Sequence, residues 1–160
     1  MRRNVLVAAV AVLFAVAPAV AQQAAGDAVA AMKSGKELFE KSCRFCHGLD
    51  RALVAKHDAE AWGGVVKRMV AYGAPLNAEQ RPLVVRYLGA RSAFAVKCSG
   101  CHELTRVVGD VAVVRDWKAL AERMAGHARD AQKTGTTPAI PPISTDELVD
   151  IAALLQAIIP

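Results

Sequence analysis

Gly35-Lys36-Glu37-Leu38-Phe39-Glu40-Lys41-Ser42-Cys43-Arg44-Phe45-Cys46-His47 returns, altered, as Ala90-Arg91-Ser92-Ala93-Phe94-Ala95-Val96-Lys97-Cys98-Ser99-Gly100-Cys101-His102. Each copy has a small residue, an aromatic four positions later, and a Cys-x-x-Cys-His pentapeptide four positions after that. The pentapeptides hold all 4 cysteines of the chain. Two thiols three positions apart on one helical turn can each add to a vinyl group of the same porphyrin, and the adjoining imidazole reaches the iron. The pattern is the attachment signature of c-type haem. It implies two covalently attached haem c groups, one on Cys43 and Cys46, the other on Cys98 and Cys101, with His47 and His102 as proximal iron ligands. A thioredoxin-like redox pair needs a strand-helix-strand setting, which neither half offers. Neither a four-cysteine zinc site nor a disulfide has any use for the histidines.

The beginning of the chain points to export. Arg2 and Arg3, an apolar run from Val5 to Val16, and the small-residue stretch Ala19-Val20-Ala21 before Gln22 make a secretory signal peptide over residues 1–21. The run is too short to span a bilayer comfortably, so no membrane span is expected after cleavage at Ala21. Haem c is attached outside the cytoplasm, so the mature chain is expected in the periplasm. Removing Arg2 and Arg3 lowers the basic residues from 20 to 18 against 15 acidic, so the net charge falls from +5 to +3. Four haem propionates would bring it to about −1. A basic protein built to bind nucleic acid is therefore excluded.

The repeat extends beyond the pentapeptides. Trp62 and Trp117 each lie 19 residues after the first Cys of their half. Met69 and Met124 lie 7 residues further on, each preceded by Arg, and Arg51 matches Arg106 four residues after each motif His. Trp62 to Leu76 is 14 residues but Trp117 to Ile143 is 26, so the second half carries an insertion of 12. It falls between Gly126 and Pro141 and reads as an exposed loop.

Hydrophobic periodicity is helical throughout. Helices are expected from Lys33 into the first motif, over 59–71, 78–88, 90–98 and 116–129, and from Thr145 to Ile159. Asn77 and Ser144 serve as caps for the last helix of each half. Residues 111–114 are apolar and, apart from Ala112, β-branched, too short a run to assign. The expected domains are 22–89 and 90–160, joined with almost no linker.

With these residues in place, the chain resembles the class I cytochrome c family in two tandem copies. The implied fold is all-α: two cytochrome c-like helical domains, each wrapped around one covalently bound haem. In that family the first and last helices of a domain cross where a small residue meets an aromatic. Gly35 and Phe39 with Tyr87 match this, and Ala90 and Phe94 with Leu154 match it more loosely. The Trp-x6-Met helix followed by Gly73 and Leu76 is also similar to the haem-binding region of dihaem cytochromes that serve periplasmic dehydrogenases, such as the haem subunit of quinohaemoprotein amine dehydrogenase.

The resemblance implies a distal Met in the Pro-rich segment before each last helix, but Ala74-Pro75 and Ile140-Pro141-Pro142 contain none. Met69 and Met124, the symmetric pair, are the expected distal iron ligands. The alternative for both is ordinary core filling. Among the remaining histidines, His127 is a better rival ligand than His57, being three residues beyond Met124 on the same helical face. Trp62 and Trp117 are expected to wedge against the haem edge rather than to conduct electrons. Arg51 and Arg106 suit haem propionates.

A haem ligated on both sides exchanges electrons without binding substrate, so the expected protein is an electron-transfer protein rather than an enzyme. Its partners would be redox proteins: a dehydrogenase, a reductase or an oxidase. The alternatives are a dihaem peroxidase with one open haem and an obligate cytochrome subunit of a periplasmic dehydrogenase.

Overall fold

The computed structural model describes residues 2–101, 103–104, 116–136 and 140–159, with side chains from Gln22 onward. Among these the regular structure is helical throughout: α1 (Arg2–Ser42), α2 (Asp50–Val54), α3 (Ala59–Ala71), α4 (Gln80–Cys98), α5 (Trp117–Lys133) and α6 (Thr145–Ile158). The all-α expectation holds. Residues 111–114 lie outside the described segments.

α1 corrects the expectation of a helix starting near Lys33. It is 41 residues long and passes without a break through Ala21 and Gln22. The segment from Gln22 to Ser42 is rich in Ala, Lys and Glu, strong helix formers that sustain the run. α3 matches the expected bounds and starts where the Asp58 carboxylate accepts the Ala61 N–H at 2.8 Å. The short α2 was not anticipated.

The larger correction concerns α4. Helices were expected over 78–88 and 90–98 with a joint between them, but the chain forms one continuous helix. Asn77 and Gln80 close its start reciprocally: Asn77 Oδ1 accepts the Gln80 N–H at 2.9 Å, and Gln80 Oε1 accepts the Asn77 N–H at 3.0 Å. Pro82 sits in the first turn, where no backbone donor is needed. Gly89 would weaken an isolated helix by about 1 kcal/mol relative to Ala. Here it is buried, and a Cβ on it would lie 3.3 Å from the Ala59 side chain, so α3 and α4 pack through it. Tertiary contact outweighs intrinsic propensity at this point.

α4 is the centre of the molecule, packed against α1, α3 and α6; α5 packs on α6, and α6 also meets α1. Val84, Tyr87, Leu88, Ala90 and Phe94 are all buried, a distribution too broad for one amphipathic stripe and suited to a helix covered on several sides. The expected crossing in the first half is present. Gly35 faces α4 so closely that a Cβ would collide with the Leu83 carbonyl oxygen and lie 2.8 Å from Tyr87 Cβ. The Phe39 and Tyr87 rings meet at 5.9 Å.

The repeat is visible in burial as well. Shifted by the repeat period plus the insertion, Val84, Tyr87 and Leu88 become Ile151, Leu154 and Leu155, and all six are buried. The C-terminal half of α4 thus stands to α6 as α1 stands to the N-terminal half of α4. One helix closes the first half and opens the second.

The insertion is only partly a loop. α3 and α5 both stop at a glycine with positive φ, Gly73 at 101° and Gly135 at 67°. The next residue's N–H donates five positions back in both, Ala74 to Met69 and Thr136 to Ala131, the closure that left-handed glycine allows. Gly73 is 11 residues beyond Trp62, whereas Gly135 is 18 beyond Trp117. Seven of the 12 extra residues therefore lengthen α5, and the other five lengthen the segment after it.

Candidate functional site

The cysteine pairs of the two pentapeptides occupy equivalent places, each at the C-terminal end of a long helix. In the first, the Cys43 N–H still donates to the Phe39 carbonyl at 3.0 Å, and the chain then leaves the helix in a turn. Cys43 is half-buried against the core, and this burial raises its thiol above the ordinary range. Arg44, Phe45 and Cys46 are exposed, Phe45 at 74%. In the second, Cys98 is the last residue of α4, half-buried, while Cys101 is exposed. Burial, reinforced by Cys101, pushes the Cys98 thiol up to about 11. Both are therefore neutral thiols at neutral pH.

His47 is half-buried, and its Nδ1 lies 2.8 Å from the Gly48 carbonyl oxygen. A carbonyl only accepts, so Nδ1 carries the proton and the Nε2 lone pair remains available to a metal. A partner on the other ring nitrogen is how proteins fix and orient a ligating imidazole. Thiols paired with such an imidazole suit a covalently held iron porphyrin, and the residues of the first motif fit that group. His102, and Arg106 beyond it, lie outside the described residues.

The residue before each first Cys fastens the motif to the segment preceding the half's last helix. The Ser42 hydroxyl donates to the Pro75 carbonyl at 3.5 Å, and Lys97 Nζ donates to the Pro142 carbonyl at 2.7 Å. Pro75 and Pro142 are equivalent once the insertion is counted, so the two halves use different side chains for one attachment. Lys97 goes further, reaching both Glu147 carboxylate oxygens at 2.6 Å with only 11% of its side chain exposed. Burial works to raise the Glu147 carboxyl, but the Lys97 ammonium and the Ser144 cap outweigh it and hold it below the usual range. Leu49 and Leu104, each two residues after the motif His, both pack partly buried on the core. This matched pair was overlooked in the sequence, although its spacing was readable.

Ile140 lies inside the stretch expected as an exposed loop, but it is buried and covers the second motif. A Cβ on Gly100 would lie 2.8 Å from Ile140 Cδ1. The first motif has Phe45 at the equivalent position, turned to solvent.

The expected distal ligands differ in setting. Met69 is half-buried in the last turn of α3, on the face that carries the buried Trp62 and Val66. Met124, midway along the longer α5, is 37% exposed. His57 and His127 are both exposed, His57 edge-on to Trp62 at 5.1 Å. Met32 is almost fully buried in the core. Arg51 is exposed.

Trp62 is buried, and its indole N–H donates to Ser92 Oγ at 2.9 Å. Ser92 in turn donates to the Ala55 carbonyl at 3.4 Å. A cavity of about 630 Å³ lies along α4, between Lys56–Ala59 and the start of α6. Ser92 and His57 line it, but none of the seven described cofactor and iron ligands does, so it is not where the two cysteine pairs lie.

None of the four cysteines is in a disulfide, and no three His, Cys, Asp or Glu side chains converge among the described residues. The thiols are therefore not gathered into one tetrahedral cage. No helix of the described residues is long and apolar enough to cross a membrane. Comparison with protein-family models, curated proteins and solved structures finds no match to this chain.

Proposed function

We propose that this chain is an exported dihaem c-type cytochrome that relays single electrons between redox protein partners in the periplasm, after cleavage behind Ala21. The observation that carries this reading is the presence of two Cys-x-x-Cys-His pentapeptides at equivalent helix ends, the first with Nε2 of its histidine left free by the Gly48 carbonyl. Cys43 and Cys46 would hold one haem and Cys98 and Cys101 the other, with His47 and His102 as proximal ligands. When bound, haem c supplies a one-electron ferric/ferrous couple.

What the protein contributes is placement. Each motif ends a long helix and is tied to the segment before the last helix of its half, by Ser42 to Pro75 and by Lys97 to Pro142. Met69 and Met124 are the proposed distal ligands, whose thioethers favour the ferrous state and raise the potential. If His47 with Met69 and His102 with Met124 held the two irons, neither site would admit a substrate.

One observation favours a second reading for the second half. Met124 is 37% exposed, and a centre that this methionine leaves open would be of the peroxidase type. Carbon monoxide added to the reduced holoprotein separates the two. The electron-carrier reading expects two reversible one-electron couples and no rapid binding; fast stoichiometric binding at one haem would favour the enzyme. Met69→Ala is expected to remove part of the near-red charge-transfer band of ferric Met-ligated haem, and an unchanged band would take Met69 off the iron.

A further inference from the structure

The Trp62–Ser92 hydrogen bond connects the two halves of the repeat. Trp62 belongs to the first half by its distance from Cys43, whereas Ser92 lies in the part of α4 that opens the second half and ends at Cys98. The bond is not a general feature of the repeat. The position equivalent to Ser92, counting the insertion, is Ile159, which has no side-chain polar atom, and no such bond involves Trp117 among the described residues. It arises because α4 runs on past the end of the first half, while α6 stops at Ile158.

Burial makes the bond consequential. Trp62 is 2% exposed and Ser92 5%, and Ser92 and Tyr87 are the buried side chains of α4 that carry a hydroxyl. A Ser in the middle of a buried helix is unfavourable unless its hydroxyl is satisfied, and here it is satisfied twice, accepting from Trp62 and donating to Ala55. Both partners come from the first half. The guanidinium of Arg91 makes a neighbouring link, donating to the Leu53 carbonyl at 3.0 Å.

Against the expectation that both tryptophans only wedge against a haem edge, we propose that the hydrogen bond to Ser92 lets Trp62 couple the two redox centres electronically, with Ser92 as its positioning residue. The inference rests on the dihaem reading. An electron at the first centre passes across the Trp62 indole and the hydrogen bond into α4, whose backbone continues six residues from Ser92 to Cys98. One ferrous iron is oxidised and one ferric iron reduced; no bond breaks and no proton moves.

The test uses the full-length holoprotein with one electron delivered rapidly to it, and follows equilibration between the haems alongside the potential of each. Trp62→Phe and Ser92→Ala are each expected to slow equilibration several-fold while leaving both potentials and the low-spin spectra unchanged. Trp117→Phe should leave the rate as it is, and Ser92→Thr, which keeps the hydroxyl, should retain it. A second readout needs no haem chemistry: the Trp62 indole N–H should resist hydrogen exchange in the wild-type chain and lose that protection in Ser92→Ala. An equilibration rate insensitive to Trp62→Phe and Ser92→Ala, or equally sensitive to Trp117→Phe, overturns the proposal. Material without haem would overturn the functional reading itself, and the first outcome leaves that reading standing.

Discussion

Lys97 and Ser42 hold the same place in the repeat and donate to equivalent carbonyls, Pro142 and Pro75, yet only Lys97 brings a charge, and Glu147 balances it. Glu147 has its folded-state pKa below its unfolded value, so its contribution is complete above the unfolded carboxylate range, about pH 4.3. That contribution is lost as pH falls through the lower, folded value. The carboxylate remains partly solvated, which keeps the pair near the size of a surface ion pair, under about 1 kcal/mol. Glu147→Gln keeps the reach to the Ser144 N–H but loses the charge. The expected result is a melting-temperature deficit against wild type at pH 7 that shrinks below about pH 4; a deficit constant down to acid pH would refute the assignment. Gly35→Ala is a sharper change, because the new methyl meets the backbone oxygen of Leu83 rather than a movable side chain. A loss of about 1–3 kcal/mol is expected in denaturant unfolding. The pentapeptides were readable from spacing alone, and the Gly35–Phe39–Tyr87 contact only from the resemblance to class I cytochromes c. Ser92 was not, since its partner Trp62 is 30 positions away and a buried serine in an apolar run looks like tolerated noise until the helices are packed.

Caps and breakers explain where helices were legible. Ser144 forms a full capping box on α6, accepting the Glu147 N–H at 3.2 Å while the Glu147 carboxylate accepts the Ser144 N–H at 2.8 Å. Ser144→Ala is expected to cost about 1 kcal/mol, seen as a fall of a few degrees in thermal unfolding. These local signals depend on three or four residues and survive reading in isolation. The continuity of α4 does not. Leu88-Gly89-Ala90 reads as a joint because Gly is a poor helix former, and only the Ala59 contact shows that the glycine is there for close approach. The insertion misleads in the same way: its Gly and Thr residues suggest a loop, but the stop at Gly135 lies beyond two further turns of α5.

At the scale of the molecule, the repeat and the core give different divisions. The sequence divides at 89/90, whereas the hydrophobic core is one cluster that includes Phe39 and Trp62 from the first half and Trp117 and Leu154 from the second. Arg86 and Asp150 add a bridge across it, at 2.6 Å, from α4 to α6. A cut after Gly89 would sever α4 and expose the faces that α1 and α6 bury against it. Fragments 22–89 and 90–160 made separately are expected to lack cooperative unfolding, and the intact chain to unfold in one transition; a stable, cooperatively melting fragment would show two independent units. The central claim concerns what the two helix ends carry, and intact-mass spectrometry of chain exported from cells with haem-attachment machinery tests it most directly. The account predicts the polypeptide from Gln22 to Pro160 plus two haem masses, falling to one when Cys98 and Cys101 are replaced by Ala; a mass equal to the bare polypeptide would contradict it.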